Sequence, residues 1–547
     1  MSIDENGPDL DVIVVGSGGA GAPLAARLSE DPKRRVLVLE AGPVPRSRRD
    51  YPAELLDAST VQGAMPGYPH NWAYLGHLTP ELPYLVARGR ILGGSTALNG
   101  AYFVRATPED FAAWAEVGGP DWTYEAVLPA MRRLESDPAF ADDPRHGDAG
   151  PIPIERSALT DRLSAAFRAA ALERGFADEP DKNVPGTPGV GPVPSSLHRG
   201  MRWNTGLAYL LPVLDRANLE VRGDARVVRV LIEDGTAVGV ELAGGEQLRA
   251  REVVLAAGAI ATPQLLLVSG VGPREQLEGF GIPVEADLPV GAAFSDHPDI
   301  AVGWRPRASV GSPGDRAAFP ACLNFASAGA PHADLEILLS VKPLGYLLTG
   351  SAHPLGSGVL AALRHPLRTI RALVGVSARR MASQLAHRDD LQLIVAVQQP
   401  EGRGSIQLVS ADPDDGPRID YRYLETPSDR ARMREGLRVA VSLLRSNAFA
   451  PLFGGLTELD DATLDDDDRL DDWARAHLGT AIHMCGTAPM GPAGSPGAVV
   501  DGQGRVHGIA GLRVADTSIL PTVPSRGPAA TAVLIGERIA EFIARGD

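Results

Sequence analysis

The sequence predicts a two-domain chain of mixed α/β class, and three observations carry that reading. At 547 residues it is longer than one hydrophobic core usually supports. It opens on a strand–glycine–helix–strand unit of the kind that builds a buried parallel sheet. Its later half holds alternating apolar and polar runs, which fit strands with one face covered. With 44% apolar and 22% charged residues, the composition suits a globular protein with ample core.

The opening unit is the most readable stretch. Val12 to Val15 is a short, wholly apolar strand that runs into Gly16, Ser17, Gly18 and Gly21, spaced G-x-G-x-x-G. A helix pattern follows with Pro23 in its first turn, where a missing N–H costs nothing. A second apolar strand, Val36 to Leu39, ends at Glu40 and Ala41. Glycines let backbone turn tightly and approach a pyrophosphate, whose charge sits at the helix N-terminus. An acid at the end of the second strand reaches a ribose hydroxyl. A bare G-x-G-x-x-G also occurs in ordinary turns, but strand, glycines, helix, strand and acid in this order predict a dinucleotide site. FAD and NAD both fit at this point.

Two further segments narrow the cofactor. In "GRILGGSTALNGAYFVR" (Gly89 to Arg105), Gly93, Gly94 and Ser95 form a loop whose backbone can lie flat against a large planar ring. Asn99 offers a donor and an acceptor to a polar edge. A Gly-rich connection into a helix would use the same residues. "EVVLAAGAIATPQLLL" reads as a buried strand ending at Gly258, then a helix with Pro263 near its start. These two segments resemble the signature patterns of the glucose–methanol–choline (GMC) oxidoreductases. The resemblance continues through "FSDHP" (Phe294 to Pro298), "RGSIQLVSADP" (Arg403 to Pro413) and "GLRVADTSILPTVPS" (Gly511 to Ser525), which contains Asp516. It spans nearly the whole chain in the family's order.

The resemblance implies an α/β plus α+β fold: a discontinuous Rossmann-type FAD-binding domain and a substrate domain built on a mainly antiparallel sheet. The expected division is 1–152, 218–300 and 481–547 for FAD, and 153–217 and 301–480 for substrate. Val227 matches the position where the family's backbone contacts adenine, although an interior strand valine would look the same. Some members attach FAD covalently through a histidine where this chain has Ala97 and Leu98, so non-covalent FAD is expected. NAD alone would leave the Gly-rich segments after residue 88 without a use.

His483, in "HMCGTAPMG", has four conceivable roles: metal ligand, partner of a Cys nucleophile, proton acceptor, or packed ring. His483 and Cys485, two apart, make no zinc site without further ligands at workable spacing, and nothing supplies the acyl chemistry a Cys485 nucleophile would serve. His483 matches the family's active-site histidine. Alcohol oxidation must remove the O–H proton as hydride leaves carbon, and a neutral imidazole, with an ordinary pKa of roughly 6.5, suits that task.

The pattern departs from the family at the partner position. Members usually carry a second His or Asn at a helix start following P-x-x-P-S; counted back from "IGE", that position is Gly527 in "PSRGPAATAVLIGE". Arg526 is the neighbouring candidate, holding an alkoxide or a substrate anion, or else forming a structural salt bridge. Gly527 and Pro528 open an Ala-rich helix running towards Phe542, whose N-terminal end the family points at the flavin. "HMCGTAPMG" with "SRGPAAT" resembles the mycofactocin-associated branch, whose implied substrate is the reduced form of a peptide-derived redox cofactor, with electrons passed towards respiration. That branch would place a histidine near Ala529, and this chain has none there.

The leading expectation is an FAD-dependent alcohol oxidoreductase, a dehydrogenase more than an oxidase, with a small alcohol or reduced redox cofactor as substrate and a respiratory or other electron acceptor. The alternative is a flavin-bound lyase or scaffold on the same fold. The net charge of −16 argues against nucleic acid. Two cysteines, Cys322 and Cys485, give no disulfide framework or metal quartet, so no metal is expected. The absence of a signal-like N-terminus and of a long apolar run predicts a cytoplasmic protein. Between Lys342 and Arg388 there are seven Lys/Arg and no acid. That stretch reads as a lid with a solvated Arg face, or as a docking surface for an anionic membrane or electron-accepting partner. The acidic run Glu458 to Trp473 reads as a solvated loop and helix start.

Overall fold

The computed structural model describes residues 10–307, 317–350 and 387–546. Most of the basic stretch read as a lid or docking surface lies outside the described residues.

The first layer is a seven-stranded sheet in the order Leu219–Arg222, Val36–Leu39, Leu10–Val15, Gln247–Leu255, Thr236–Leu242, Val227–Glu233, with Leu512–Val514 also paired to Gln247–Leu255. Its centre is parallel. Val36–Leu39 is buried along its whole length, as a strand covered on both faces must be. The Gly21–Leu28 helix packs against it, and the Ala529–Arg545 helix packs on that helix in turn. Residues near both ends of the chain therefore share one core.

The second layer is an eight-stranded, mainly antiparallel sheet. Its central strands run in the order Pro298–Pro306, Leu391–Val397, Leu335–Ser340, Ala321–Phe325, Gly189–Pro192. Alternation along each strand sorts the side chains. Ile300, Val302, Ile337, Leu393 and Val395 enter a core with Met433, Leu437 and Val441 of the Pro427–Leu444 helix. The register aligns Asn324 with Glu336, Glu336 with Ala396, and Asp299 with Ala396. That row, with Leu338 and Ile394 on the same face, turns the other way.

The Pro427–Leu444 helix starts as its sequence dictates: Thr426 accepts the Asp429 N–H and Pro427 takes the first turn. Its outer arginines meet the acidic run. Arg434 pairs with Asp471 at 2.8 Å, Arg438 with Asp467 at 2.7 Å, and Arg445 with Asp461. The run thus forms two short helices, Asp461–Leu464 and Asp467–His477, capped by Asp460 and Asp466. "LQLIVAVQQP" and "GSIQLVS" are strands, but they do not pair with each other. Leu391–Val397 joins the eight-stranded sheet, whereas Ser405–Gln407 turns away to pair with Arg418–Asp420 beside Tyr74–Thr79. No described helix is long and apolar enough to cross a membrane.

Candidate active site

A cavity of about 1370 Å³ runs between the two sheets. At one end the first strand delivers its glycines. Gly16 has φ +101°, and a Cβ there would lie 2.5 Å from the Ala256 carbonyl oxygen, so glycine is required by both conformation and space. Gly94, at φ +52°, brings its backbone against Gly18, where a Cβ would stand 2.7 Å from Gly18 Cα. Two backbones meet with nothing projecting between them and the cavity. The Gly21–Leu28 helix carries no side-chain cap and no acid in its first turn, so its positive dipole end is left for an anion. Glu40 is buried and committed: its Oε2 accepts the Ser17 hydroxyl at 2.6 Å and the Ser17 N–H at 3.2 Å, and Oε1 accepts the Gly42 N–H at 2.9 Å. Burial raises its pKa above the ordinary carboxylate range, against those hydrogen bonds.

Gly16, Ser17, Gly18, Glu40, Ala41, Gly94, Ser95, Asn99, Val227, Asp516, Gly527, Pro528 and His483 all line this one cavity. Gly21, Gly93 and Arg526 do not. Gly21 packs against Gly16 behind the turn, and Gly93 takes φ +93° beside Asn204. Asn99 Oδ1 accepts the Ala101 N–H at 3.0 Å. Asp516 acts from beneath, accepting the Gly258 N–H at 2.8 Å and the Thr262 hydroxyl at 2.6 Å, which fixes the start of the Gly258–Val268 helix.

At the other end stands a pair of histidines. His297 Nδ1 and His483 Nδ1 are 3.0 Å apart, with the rings nearly perpendicular. His297 Nε2 lies 2.9 Å from the Pro524 carbonyl oxygen. A carbonyl only accepts, so Nε2 carries hydrogen. Burial pushes the His297 pKa down to about 4, so its Nδ1 is bare and must accept. His483 Nδ1 therefore donates, and its Nε2 keeps a free lone pair. Burial, and then His297 and Arg88, lower the His483 pKa well below the ordinary imidazole value. The ring is neutral at physiological pH, with Nε2 free to take a proton.

Asp296 sets the pair. Its Oδ1 accepts the backbone N–H of both His297 and His483, each at 2.7 Å. Ile482, just before His483, holds φ +63°, a strained value for a β-branched residue. Its carbonyl accepts from Arg88 at 3.2 Å. Cys485 is fully buried, burial pushes its thiol well above the ordinary range, and Sγ donates to the His483 carbonyl at 3.2 Å. It packs, and has no thiolate to offer.

Known proteins resemble this chain over nearly its whole length. The GMC oxidoreductase family profile matches residues 10–299 and 400–536. A GMC-type oxidoreductase of Rhodococcus erythropolis is 39% identical over 98% of both chains.

The chain is a GMC oxidoreductase.

An oxygen-dependent choline dehydrogenase of Rhizobium etli is 32% identical, covering 97% of this chain and 95% of that one. The structure of pyridoxine 4-oxidase from Mesorbium loti superposes with a TM-score of 0.84 at 27% identity, over 98% of this chain and 99% of that one. A fungal aryl-alcohol oxidase follows at 0.73 and 26%, over 98% and 99%. GMC oxidoreductases bind FAD, and the side-chain-free glycine cradle, the uncapped helix end and the length of the cavity fit that group.

This GMC oxidoreductase places Arg526 away from the cavity. Its guanidinium is 3% exposed and lies 3.4 Å from Glu179, within a network that continues through Lys182 and Asn324. Of the two roles open to Arg526, the ion pair is the one the geometry displays. Gly527 does line the cavity, and a Cβ there would lie 3.0 Å from Tyr102 Cδ1 and 3.3 Å from His483 Cε1. A side chain at 527 would thus meet the Tyr102 ring. Sequence reasoning passed over His297, Asp296, Arg88, Tyr102 and Glu336. The first two were visible in "FSDHP", where the D-H pair could have been read as chemistry as well as a family marker.

Proposed function

We propose that this GMC oxidoreductase oxidises an alcohol, with His483 Nε2 as the base that takes the hydroxyl proton. The observation that carries the reading is the buried, cavity-lining His483 imidazole with its Nδ1 3.0 Å from His297 Nδ1, an arrangement that leaves Nε2 to act as base. Non-covalent FAD, when bound, supplies the acceptor for the hydride. The chain does the remaining work. His483 orients the carbinol by hydrogen-bonding its oxygen, His297 holds the productive tautomer, and Asp296 keeps both imidazoles in place. The Ala529–Arg545 helix start, lined by Gly527 and Pro528, offers backbone N–H groups to negative charge at that end of the cavity, worth roughly 0.3–2 kcal/mol. We assign 1–152, 218–300 and 481–547 to cofactor binding and the remainder to the substrate side.

Anaerobic mixing with a panel of alcohols, including a reduced mycofactocin-type cofactor, tests the reading. The bound flavin should bleach with at least one of them, and His483→Ala should slow that bleaching by about 10²–10⁴-fold, the usual contribution of a positioned general base. Near-native bleaching in the variant would remove the role. Conversion of substrate with an unchanged oxidised spectrum would favour the lyase alternative. Faster reoxidation by an artificial acceptor than by oxygen is expected of a dehydrogenase.

A further inference from the structure

One carboxylate in the cavity has no part in the chemistry above. Glu336 lies on the strand Leu335–Ser340, in the row of the eight-stranded sheet that faces the cavity. Its Oε2 accepts the Tyr102 phenol at 2.7 Å and the Asn324 side-chain amide at 3.0 Å. Oε1 accepts a hydrogen bond from no described residue. The residue is 7% exposed, and that exposure opens into the cavity. That oxygen is open to the cavity, where a donor carried by a bound molecule can take the place of water.

The surroundings say what would pair with it. The adjoining cavity wall combines the apolar Phe319, Leu338, Ile394 and Tyr102 ring with the polar Asp299, Gln392 and Gln398. Arg526 stands close enough to act on Tyr102 through its charge. Its charge acts on Glu336 as well, but among the described residues its hydrogen bond goes to Glu179, so it does not occupy the free oxygen. The Tyr102 ring faces His483 across the space above Gly527. A molecule whose carbinol sits at His483 would therefore extend past Tyr102 towards Glu336.

We infer that Glu336, positioned by Tyr102 and Asn324, anchors a hydrogen-bond donor at the far end of the substrate, so that the preferred substrate is an alcohol bearing a second donor, a hydroxyl or an ammonium group. This rests on the alcohol-oxidation reading and narrows it. Asn324 is held in turn by Lys182, which donates to Asn324 Oδ1 at 3.0 Å. The amide is thereby fixed with its N–H towards Glu336, and the carboxylate is oriented before substrate arrives.

The test compares a mono-alcohol with the α,ω-diol and the α,ω-amino alcohol of equal chain length, by anaerobic flavin reduction in the holoenzyme. At least one bifunctional alcohol should show an apparent Kd roughly tenfold or more below the mono-alcohol, the size of one hydrogen bond to a charged partner. A lower Kd for the amino alcohol assigns ammonium; a lower Kd for the diol assigns hydroxyl. In Glu336→Gln the ratio should collapse towards unity, with the loss falling on Kd more than on the limiting rate. Tyr102→Phe, which keeps the ring and removes the donor to Oε2, should reduce the ratio partway; flavin content measured in each variant confirms that it is folded. A ratio near unity in the native protein, or unchanged in Glu336→Gln, overturns the anchor while alcohol oxidation stands. Failure of every alcohol to bleach the flavin overturns both.

Discussion

At the residue scale the decisive group is one nitrogen. His483 can serve as a base only while its Nε2 is bare, and two features secure that: the hydrogen bond from its Nδ1 to His297 and the burial that lowers its pKa. The sign follows directly. A base whose pKa lies below the ordinary imidazole range stays competent as pH falls through that range. The rate of flavin reduction should therefore be flat through roughly pH 6.5, the ordinary imidazole value, and decline only in more acidic solution. A decline centred on that ordinary value would show that the imidazole is solvated. Gly527 makes a second prediction. A methyl group there must stand 3.0 Å from the Tyr102 ring and 3.3 Å from His483, tighter than carbon contacts usually are. Gly527→Ala should slow flavin reduction while flavin content stays near one per chain, and Gly527→Val should do so more severely. An unimpaired Gly527→Val would mean that the space is not shared with substrate.

At the scale of elements, the segment between Leu134 and Ile152 is held by charge. His146 is buried, with Nδ1 2.9 Å from Glu135 and Nε2 2.8 Å from Asp181, while Arg105 pairs with Glu135 at 2.6 Å and Arg156 with Asp137 at 2.6 Å. Both ring nitrogens face carboxylates, so both carry hydrogen. Although burial opposes the charge, Asp137, Asp181 and Glu135 together raise the His146 pKa to about 10. A raised histidine stabilises fully below its unfolded value of roughly 6.5, and that contribution is lost as pH climbs through about 10. Asp137 and Asp181 are lowered, so their share is lost only in acid. The melting-temperature deficit of His146→Gln should thus be greatest in mildly acidic solution, just below roughly pH 6.5, and shrink as pH rises towards about 10; a deficit independent of pH would assign the residue to packing alone. The sequence exposed elements better than partnerships. Val36 to Leu39, the Gly258 helix and the helix after Pro528 were legible because periodicity, glycine and proline act within a few residues. Tyr102 and Glu336 lie 234 residues apart, and no local pattern announces that a loop residue and a strand residue will meet. Arg526 shows the converse: adjacency to Gly527 pointed it at the substrate, whereas Glu179, 347 residues away, holds it elsewhere.

At the scale of the whole molecule, one buried acid ties distant segments together. Glu537, on the Ala529–Arg545 helix, is fully buried and accepts from Arg27 at 3.0 Å, from Arg133 at 3.2 Å and from the Tyr209 hydroxyl at 2.8 Å. Without Glu537, Arg27 keeps Glu30 and Arg133 keeps Glu541, but the buried Tyr209 hydroxyl loses its acceptor. Glu537→Ala should lower stability by about 1–3 kcal/mol, the cost of an unmade buried hydrogen bond, read as a fall in denaturant midpoint together with loss of bound flavin on gel filtration. A variant that melts like the native chain would show that water pairs with that hydroxyl. The acid also ties its helix to the glycine loop, since the Gly21–Leu28 helix that carries Arg27 begins there.

The strand Leu512–Val514 and the helix that follows it complete a sheet whose other members lie before residue 256. A ribosome making this chain releases those earlier strands long before the piece that closes them. Through most of translation the glycine loop exists without its roof, and a nascent polypeptide interrupted before about residue 512 would leave an open sheet edge exposed to aggregation or proteolysis. Holoprotein assembly is therefore a late event in biosynthesis, and premature stop codons near the gene's end should yield colourless, short-lived products.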